Sequence, residues 1–228
     1  MKLLGYNKVL CLSPHPDDVE YGMLGAIMKF KDTEFDVVTL SVGGRFDKSS
    51  GDIRHIECKK VWEHIDNLNG HFSDIEHIKN VGKDEIIYKL ESNYDLSKYD
   101  AIFVPPRIDS HQDHRKLNSI ASSLVRKHRC GIIEYATPST LTEWIPNHFV
   151  DLNYIGNRNS GDGHNNKTKK LFLAVIWYIK LNKLKLFNSQ KDKPYFRTES
   201  LKSFHSNYEC SKRGMNSVES FKIVRSYN

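Results

Sequence analysis

The stretch KVLCLSPHPDDVEYGMLGAIMKF, residues 8–30, joins a short apolar run, a polar motif and an amphipathic segment. Lys8 to Ser13 is apolar and bounded by Asn7 and Pro14, which predicts a buried strand. In residues 19–31 the apolar side chains recur at the spacing of one helix face, which predicts a helix. A strand, a polar motif and a helix in this order are typical of a parallel sheet covered by helices.

The same alternation continues along the chain. It favours an α/β fold with a mostly parallel sheet and helices on both faces. Sites in such folds lie at the carboxyl ends of strands. We predict strands at Phe35 to Val42, near 71–73, at Ala101 to Val104 and at Gly131 to Tyr135, helices at 53–67, 82–92 and 115–128, a loop at 45–52, and either a helix or a strand at Ser217 to Arg225.

Composition limits the class of protein. The 228 residues include 34 Lys and Arg, 28 Asp and Glu and 11 His, giving a formal net charge of +6, and 39% are hydrophobic. This is enough apolar material for a packed core in one domain spanning 1–228. The four cysteines form no C-x-x-C pair, which favours a reduced, cytoplasmic location. We expect neither a membrane-spanning run nor a cleaved signal peptide.

The first polar motif is Pro14-His15-Pro16-Asp17-Asp18, directly after the first predicted strand. If a helical turn begins here, His15 and Asp18 share one side of it and offer an imidazole and a carboxylate to one metal ion. Asp17 lies between them and points differently. It is therefore free to take a proton from a metal-bound water, as metal-dependent hydrolases require.

A second polar run, Asp109-Ser110-His111-Gln112-Asp113-His114, follows the strand predicted at Ala101 to Val104. It supplies a third metal ligand and another acid–base pair. Three protein ligands with one open position are typical of catalytic zinc sites. Both runs at strand ends of one α/β chain favour a metal-dependent enzyme.

Simpler interpretations exist for each run. Asp17 and Asp18 could only cap a helix, and the second run could be a solvated loop. Neither interpretation accounts for both runs together. The other eight histidines show no convergent spacing, and we expect surface or core roles for His55, His64, His71, His77, His128, His148, His164 and His205.

PHPDDVEYGMLG, residues 14–25, and DSHQDH, residues 109–114, resemble the motifs of the PIG-L/LmbE-like family of metal-dependent N-deacetylases. Weaker matches follow at Arg54 and Glu57, at Ser189-Gln190, at Arg213-Gly214 and in the ending SVESFKIVR. The resemblance implies a Rossmann-like sheet and removal of an acetyl group from an N-acetylglucosamine-type sugar, as in polysaccharide biosynthesis. The sequence leaves open whether this sugar is free, nucleotide-linked, lipid-linked or part of a polymer.

Carried onto this sequence, the resemblance implies that His15, Asp18 and His114 hold zinc, with iron(II) as the alternative metal in the cell. Asp17 is then the general base, because zinc lowers the pKa of its water from about 16 to about 7 and a weakly basic carboxylate suffices.

The resemblance also implies that protonated His111 stabilises the oxyanion of the reaction. Asp113 is expected to orient His111 and to raise its pKa. Arg54 is the best candidate for contact with the sugar substrate, and Asp74 and Asp109 are weaker candidates.

Two other functions stay open. Two histidines and one carboxylate also describe the ligands of non-haem iron enzymes, although Asp17 has no use in that chemistry. The +6 charge also fits a basic module that binds nucleic acid or another anionic surface, although no nucleic-acid motif accompanies it.

A basic segment late in the chain has no confident counterpart in the family. Residues 153–170 predict a surface loop, and 171–187 predict a helix that is apolar and then basic. Such a helix can make peripheral contact with a membrane, but burial with outward-reaching lysines is the favoured interpretation. The lysines are Lys167, Lys169, Lys170, Lys180, Lys183 and Lys185.

Overall fold

A computed structural model describes residues 1–42, 48–153 and 175–227, with only the backbone described at 48–50. Within these ranges the strands form one seven-stranded sheet. They are β1 (Lys8–Ser13), β2 (Glu34–Ser41), β3 (Leu68–Ile75), β4 (Ala101–Val104), β5 (Gly131–Tyr135), β6 (His148–Asp151) and β7 (Val218–Arg225).

The strand order is β3-β2-β1-β4-β5-β7-β6. β1 pairs in parallel with β2 and with β4, and Cys11 stands opposite Val37 on one side and Phe103 on the other. β2–β3 and β4–β5 are also parallel, whereas β7 runs antiparallel to β5 and β6. The carboxyl ends of the first five strands therefore meet at one edge of the sheet.

Helices cover both faces of the sheet, because alternate residues of a strand point to opposite sides. Val9 and Cys11 of β1 belong to one apolar cluster, and Leu10 and Leu12 belong to another. The predicted α/β class is confirmed. The helices are α1 (Asp18–Lys29), α2 (Lys48–Trp62), α3 (Lys83–Asn93), α4 (Gln112–Leu124), α5 (Val175–Leu184), α6 (Thr198–Phe204) and α7 (Tyr208–Lys212).

Several predicted boundaries move. The loop predicted at 45–52 is wrong from Lys48 onward, where α2 already begins, and 45–47 lie outside the described residues. α2 ends at Trp62 rather than at 67, since His64 takes a φ of 62°, which a helix does not allow. The segment predicted as either a helix or a strand is the strand β7, which begins at Val218 rather than at Ser217. β6, α6 and α7 were not predicted.

α5 packs against the rest of the protein, and its two lysines contact other parts of the chain instead of forming a basic surface. Lys180 is 0% exposed, and its Nζ donates to Glu219 Oε1 at 2.5 Å and to Tyr21 O at 2.6 Å. Lys183 Nζ donates to backbone carbonyl oxygens of 61 and 63. Lys180 is therefore fully buried, and Lys183 is half-buried with its Nζ on backbone carbonyl oxygens, so the two do not form a basic surface patch. Lys185 is exposed, and residues 154–174, with the other three lysines, lie outside the described residues.

Glu219 joins three elements of the fold. Its carboxylate accepts the N–H groups of Gly25 at 2.7 Å and Ala26 at 2.6 Å, both in α1. Lys180 of α5 is its ion-pair partner, and Glu219 itself lies in β7. The buried His205 Nε2 is 2.6 Å from Lys180 Nζ, and burial, together with this cation, holds the pKa of His205 well below its usual value.

The four cysteines are all free and buried. None of the helices in the described ranges has both the length and the apolar character that crossing a membrane requires.

Glu219→Ala should destabilise the protein by about 3–5 kcal/mol, because it leaves the buried Lys180 ammonium without its carboxylate. Urea unfolding followed by circular dichroism measures the change. Glu209→Ala is the matched control, because Glu209 is exposed and pairs with Lys212 on the surface. We expect it to change stability by no more than about 0.5 kcal/mol. Equal losses in the two variants would contradict a stabilising role for the buried pair.

Candidate metal centre and active site

The two polar motifs meet at the carboxyl edge of the sheet. The first follows β1 and leads into α1, and the second follows β4 and leads into α4. The ring centroids of His15 and His111 are 4.7 Å apart, and those of His111 and His114 are 4.8 Å apart. Three histidines from two distant parts of the sequence therefore form one cluster, and their nearest ring nitrogens lie within 4.8 Å of one another.

Asp18 lies against two of these imidazoles. Its Oδ2 is 3.0 Å from His15 Nδ1 and 3.3 Å from His114 Nε2. In a tetrahedral zinc site with bonds of about 2.0–2.1 Å, neighbouring ligand atoms are about 3.3 Å apart. The contacts of Asp18 are close to this spacing. His15, Asp18 and His114 therefore fit a metal ion in their donor chemistry and in these distances.

The charge of the centre also suits a cation. Burial alone would raise the pKa of Asp18 and lower that of His114. Their mutual attraction reverses both effects, so the pKa of Asp18 falls well below its usual value and that of His114 rises to about 10. The same carboxylates that raise the pKa of His114 would also attract a bound cation.

Asp109 orients His114 from behind. Its Oδ2 is 3.1 Å from His114 Nδ1 and accepts the Thr137 hydroxyl at 2.8 Å, while its Oδ1 accepts the His111 N–H at 2.7 Å. A carboxylate on the second nitrogen is typical of metal-binding histidines, because it turns the other nitrogen toward the ion. The Asp109 side chain is 0% exposed. The structure therefore differs from the prediction that Asp109 contacts the substrate.

Asp17 forms an ion pair with Arg54. Arg54 Nη2 lies 2.8 Å from Asp17 Oδ2 and donates to Pro16 O at 2.6 Å. Asp17 has a φ of 127°, a strained value for a residue other than glycine, and its N–H donates to Glu20 Oε2. Burial raises the pKa of Asp17 to about 6, and the Arg54 cation limits the rise. Arg54 lines the site cavity, where a substrate contact was predicted, and its guanidinium group pairs with the Asp17 carboxylate.

His111 and Asp113 differ from their expected arrangement. The Asp113 carboxylate lies 3.2 Å from His15 Nε2, and it is the backbone N–H of Asp113 that donates to His111 Nδ1. Accepting at Nδ1 requires a neutral imidazole with its proton on Nε2. Burial and the neighbouring histidines also lower the pKa of His111. The expectation of a protonated His111 is therefore wrong for this arrangement.

A cavity of about 630 Å³ opens over the histidine cluster. Asp74 is not part of its wall: its side chain is 82% exposed and pairs with Lys89 Nζ at 2.7 Å. The structure therefore does not bring Asp74 to the site. The cavity includes wall residues that the sequence analysis did not assign to it, namely Tyr21, Ser41, His77, Lys79, Gln112, Pro138, Ser139, Gln190, Lys193, Tyr195 and Phe196.

The fold and the site together define an α/β protein with a histidine–carboxylate centre at the carboxyl edge of its sheet. The model of the PIG-L family, described as GlcNAc-PI de-N-acetylase, matches residues 10–125, and the chain belongs to this family. The matched residues include both polar motifs, which confirms the resemblance. No curated protein matches this sequence.

Solved structures with the same fold include enzymes of more than one kind. The N,N'-diacetylchitobiose deacetylase from Pyrococcus horikoshii is 21% identical, with a TM-score of 0.70, and the match covers 97% of this chain and 85% of that one. The 4-carboxy-2-hydroxymuconate hydratase from Pseudomonas putida is 15% identical, with a TM-score of 0.71 and coverage of 100% and 98%. A teicoplanin deacetylase in a zinc-inhibited form is 12% identical, with a TM-score of 0.65 and coverage of 97% and 99%. These identities establish the fold, and function has to be argued from the site.

Asp109→Asn should weaken zinc binding about 10- to 100-fold, because the amide no longer fixes His114 with a charged acceptor. Competition with a chromophoric chelator measures the affinity. Asp74→Asn is the matched control, because its exposed carboxylate lies outside the cavity, and its zinc affinity should equal that of the wild type. An unchanged affinity in Asp109→Asn would show that Asp109 does not support a metal ligand.

Proposed function

We propose that this protein is a metal-dependent deacetylase that hydrolyses the acetamide of an N-acetylated amino sugar. The observation that carries the proposal is the division between two adjacent carboxylates. Asp18 lies against His15 and His114, while Asp17 pairs with Arg54 and lines the same cavity. One carboxylate is thus available to a metal ion and the next one is available to a proton. Membership of a deacetylase family supports the same chemistry.

His15, Asp18 and His114 are the residues that would hold the metal, and zinc is the ion we propose, with iron(II) as the alternative in the cell. Zinc supplies a water whose pKa falls to about 7 and a Lewis acid for the acyl oxygen. Asp113 lies on the far nitrogen of His15, as Asp109 does for His114. Each histidine therefore has a carboxylate that sets its orientation.

Asp17 acts as the general base in this proposal. A carboxylate with a pKa of about 6 is mostly ionised at neutral pH and is a stronger base than an exposed aspartate. Arg54 fixes one of its oxygens, so the carboxylate keeps its orientation while it takes the proton from water. Asp17 then delivers this proton to the amine that leaves.

His111 donates a hydrogen bond to the acyl oxygen as negative charge develops on it. The backbone N–H of Asp113 occupies Nδ1, which leaves Nε2–H of a neutral ring as the donor. Because the ring carries no charge, its contribution does not require a raised pKa.

Because a hydratase shares this fold, the fold alone does not define the reaction. Release of acetate is therefore the measurement that tests the proposed hydrolysis. The metal-loaded protein is screened with N-acetylglucosamine, N,N'-diacetylchitobiose and nucleotide-linked N-acetyl sugars, and both acetate and free amine are quantified. We expect the two products in equal amounts. Zinc and iron(II) are compared after removal of metal with a chelator. If the protein hydrolyses none of these amides, the proposal is refuted.

Asp17→Asn should lower kcat by roughly a hundredfold or more while zinc stays bound, because the amide cannot accept the proton. Acetate release gives kcat, and metal analysis gives the zinc content. Asp66→Asn, an exposed carboxylate outside the cavity, should behave like the wild type. Turnover of Asp17→Asn close to that of the wild type would exclude Asp17 as the base.

The pH dependence provides a separate test of the pair Asp17–Arg54. Activity should fall as the pH drops through the pKa of Asp17, because the protonated carboxyl cannot accept a proton. Arg54 lowers this pKa, so Arg54→Met should move the acidic limb of kcat/KM to higher pH. Arg54→Lys keeps the positive charge and should move it less. A limb that stays in place or moves to lower pH in Arg54→Met would contradict the assignment.

A further inference from the structure

One wall of the site cavity comes from a part of the chain beyond the family match. The match ends at residue 125, whereas the cavity is lined by Gln190, Lys193, Tyr195 and Phe196. We call residues 188–196 the C-terminal wall. It follows α5 as two short helical turns, Asn188–Gln190 and Pro194–Phe196.

Glu57 of α2 attaches the beginning of this wall. Its carboxylate accepts the Ser189 N–H at 2.8 Å and the Ser189 hydroxyl at 2.5 Å. Glu57 is only 7% exposed, so these bonds are shielded from water. The Ser189 hydroxyl oxygen in turn accepts from Gln190 Nε2 at 3.1 Å. The contacts therefore lead from α2 through Ser189 to a side chain that lines the cavity.

Tyr21 of α1 attaches the other end of the wall. Its hydroxyl donates to Tyr195 O at 3.0 Å, and its ring packs edge-on against Phe196 with centroids 5.7 Å apart. The wall is thus held at two points by the helices that follow β1 and β2. Between these points it presents an amide, an ammonium group and an aromatic ring to the cavity.

We propose that Glu57 is a positioning residue for substrate recognition, which acts by holding the C-terminal wall over the site. Resting on the proposed function, the inference assigns to this wall the part of the glycoside that lies away from the acetamide. Sugar hydroxyls suit the Gln190 amide, and a sugar ring suits the face of Tyr195. Arg54, one helical turn before Glu57, touches the base instead, so α2 separates recognition from proton transfer.

The first test is the division between KM and kcat. With N,N'-diacetylchitobiose as substrate, Glu57→Ala and Ser189→Ala should each raise KM about tenfold with kcat little changed, because binding common to substrate and transition state is lost. The double variant should be no worse than Glu57→Ala, since Glu57→Ala already removes the bond to the Ser189 hydroxyl that Ser189→Ala deletes. Glu57→Gln keeps an oxygen that can accept from Ser189 and should restore most of the affinity.

Glu63→Ala is the matched control, because Glu63 follows α2 directly and its side chain is exposed. It should leave KM unchanged. Gln190→Ala should raise KM as Glu57→Ala does, because it removes the contact at the cavity itself. A fall in kcat and zinc content in Glu57→Ala with KM unchanged would overturn the proposal, since it would show a general structural role.

Hydrogen exchange gives a readout that does not depend on turnover. Backbone amides of residues 188–196 should exchange faster in Glu57→Ala than in Glu63→Ala, while those of α1 should not change. Equal exchange in the two variants would overturn the proposal that Glu57 holds the C-terminal wall in place. Acetate release by the wild type with unchanged KM in Glu57→Ala refutes this inference alone. The absence of any acetate release refutes the proposed function. Hydrogen exchange then still shows whether Glu57 holds the C-terminal wall in place.

Discussion

The parallel pairing of β1 with β4 is the constraint on which the site depends. Neighbouring strands lie about 4.8 Å apart, so groups that follow two paired strands at the same edge are brought within contact distance. His15 and Asp113 are separated by 98 positions in the sequence and yet lie 3.2 Å apart. Any other strand inserted between β1 and β4 would separate the two motifs by a further strand spacing. The backbone topology therefore assembles the centre before any side chain contributes.

Much of the fold could be predicted from short-range patterns. β1, β4 and β5 are continuous apolar runs, and their boundaries agree with the prediction to the residue. The beginning of α2 could not be predicted, because Lys48 to Gly51 has the composition of a loop. The structure explains its glycine, since a Cβ at Gly51 would come within 2.4 Å of the Val42 side chain. Close packing of helix against strand requires glycine here, and no local pattern reveals that contact.

The candidate site divides in the same way. The residue types that a metal ion and a base require stand close together in the sequence, so it could be predicted that His15, Asp17, Asp18 and His114 lie at one site. What could not be predicted is the direction in which each carboxylate turns. Asp109 turns onto His114, and Asp74 turns away to Lys89, because their partners come from other elements. The C-terminal wall could not be predicted for the same reason, although Ser189-Gln190 is one of the weaker matches to the family.

The position of Glu219 also affects the order in which the fold is completed. Its contact with Gly25 spans 194 residues, one of the longest sequence separations that the described contacts bridge. Long loops close late, because their entropy is lost before their contacts form. During synthesis, β1 to β5 emerge before β7, and Lys180 emerges before its carboxylate. A nascent chain that has paired its parallel strands therefore still carries an uncompensated ammonium on α5 and an open edge at β5. The β5 edge stays unpaired until β7 joins the sheet.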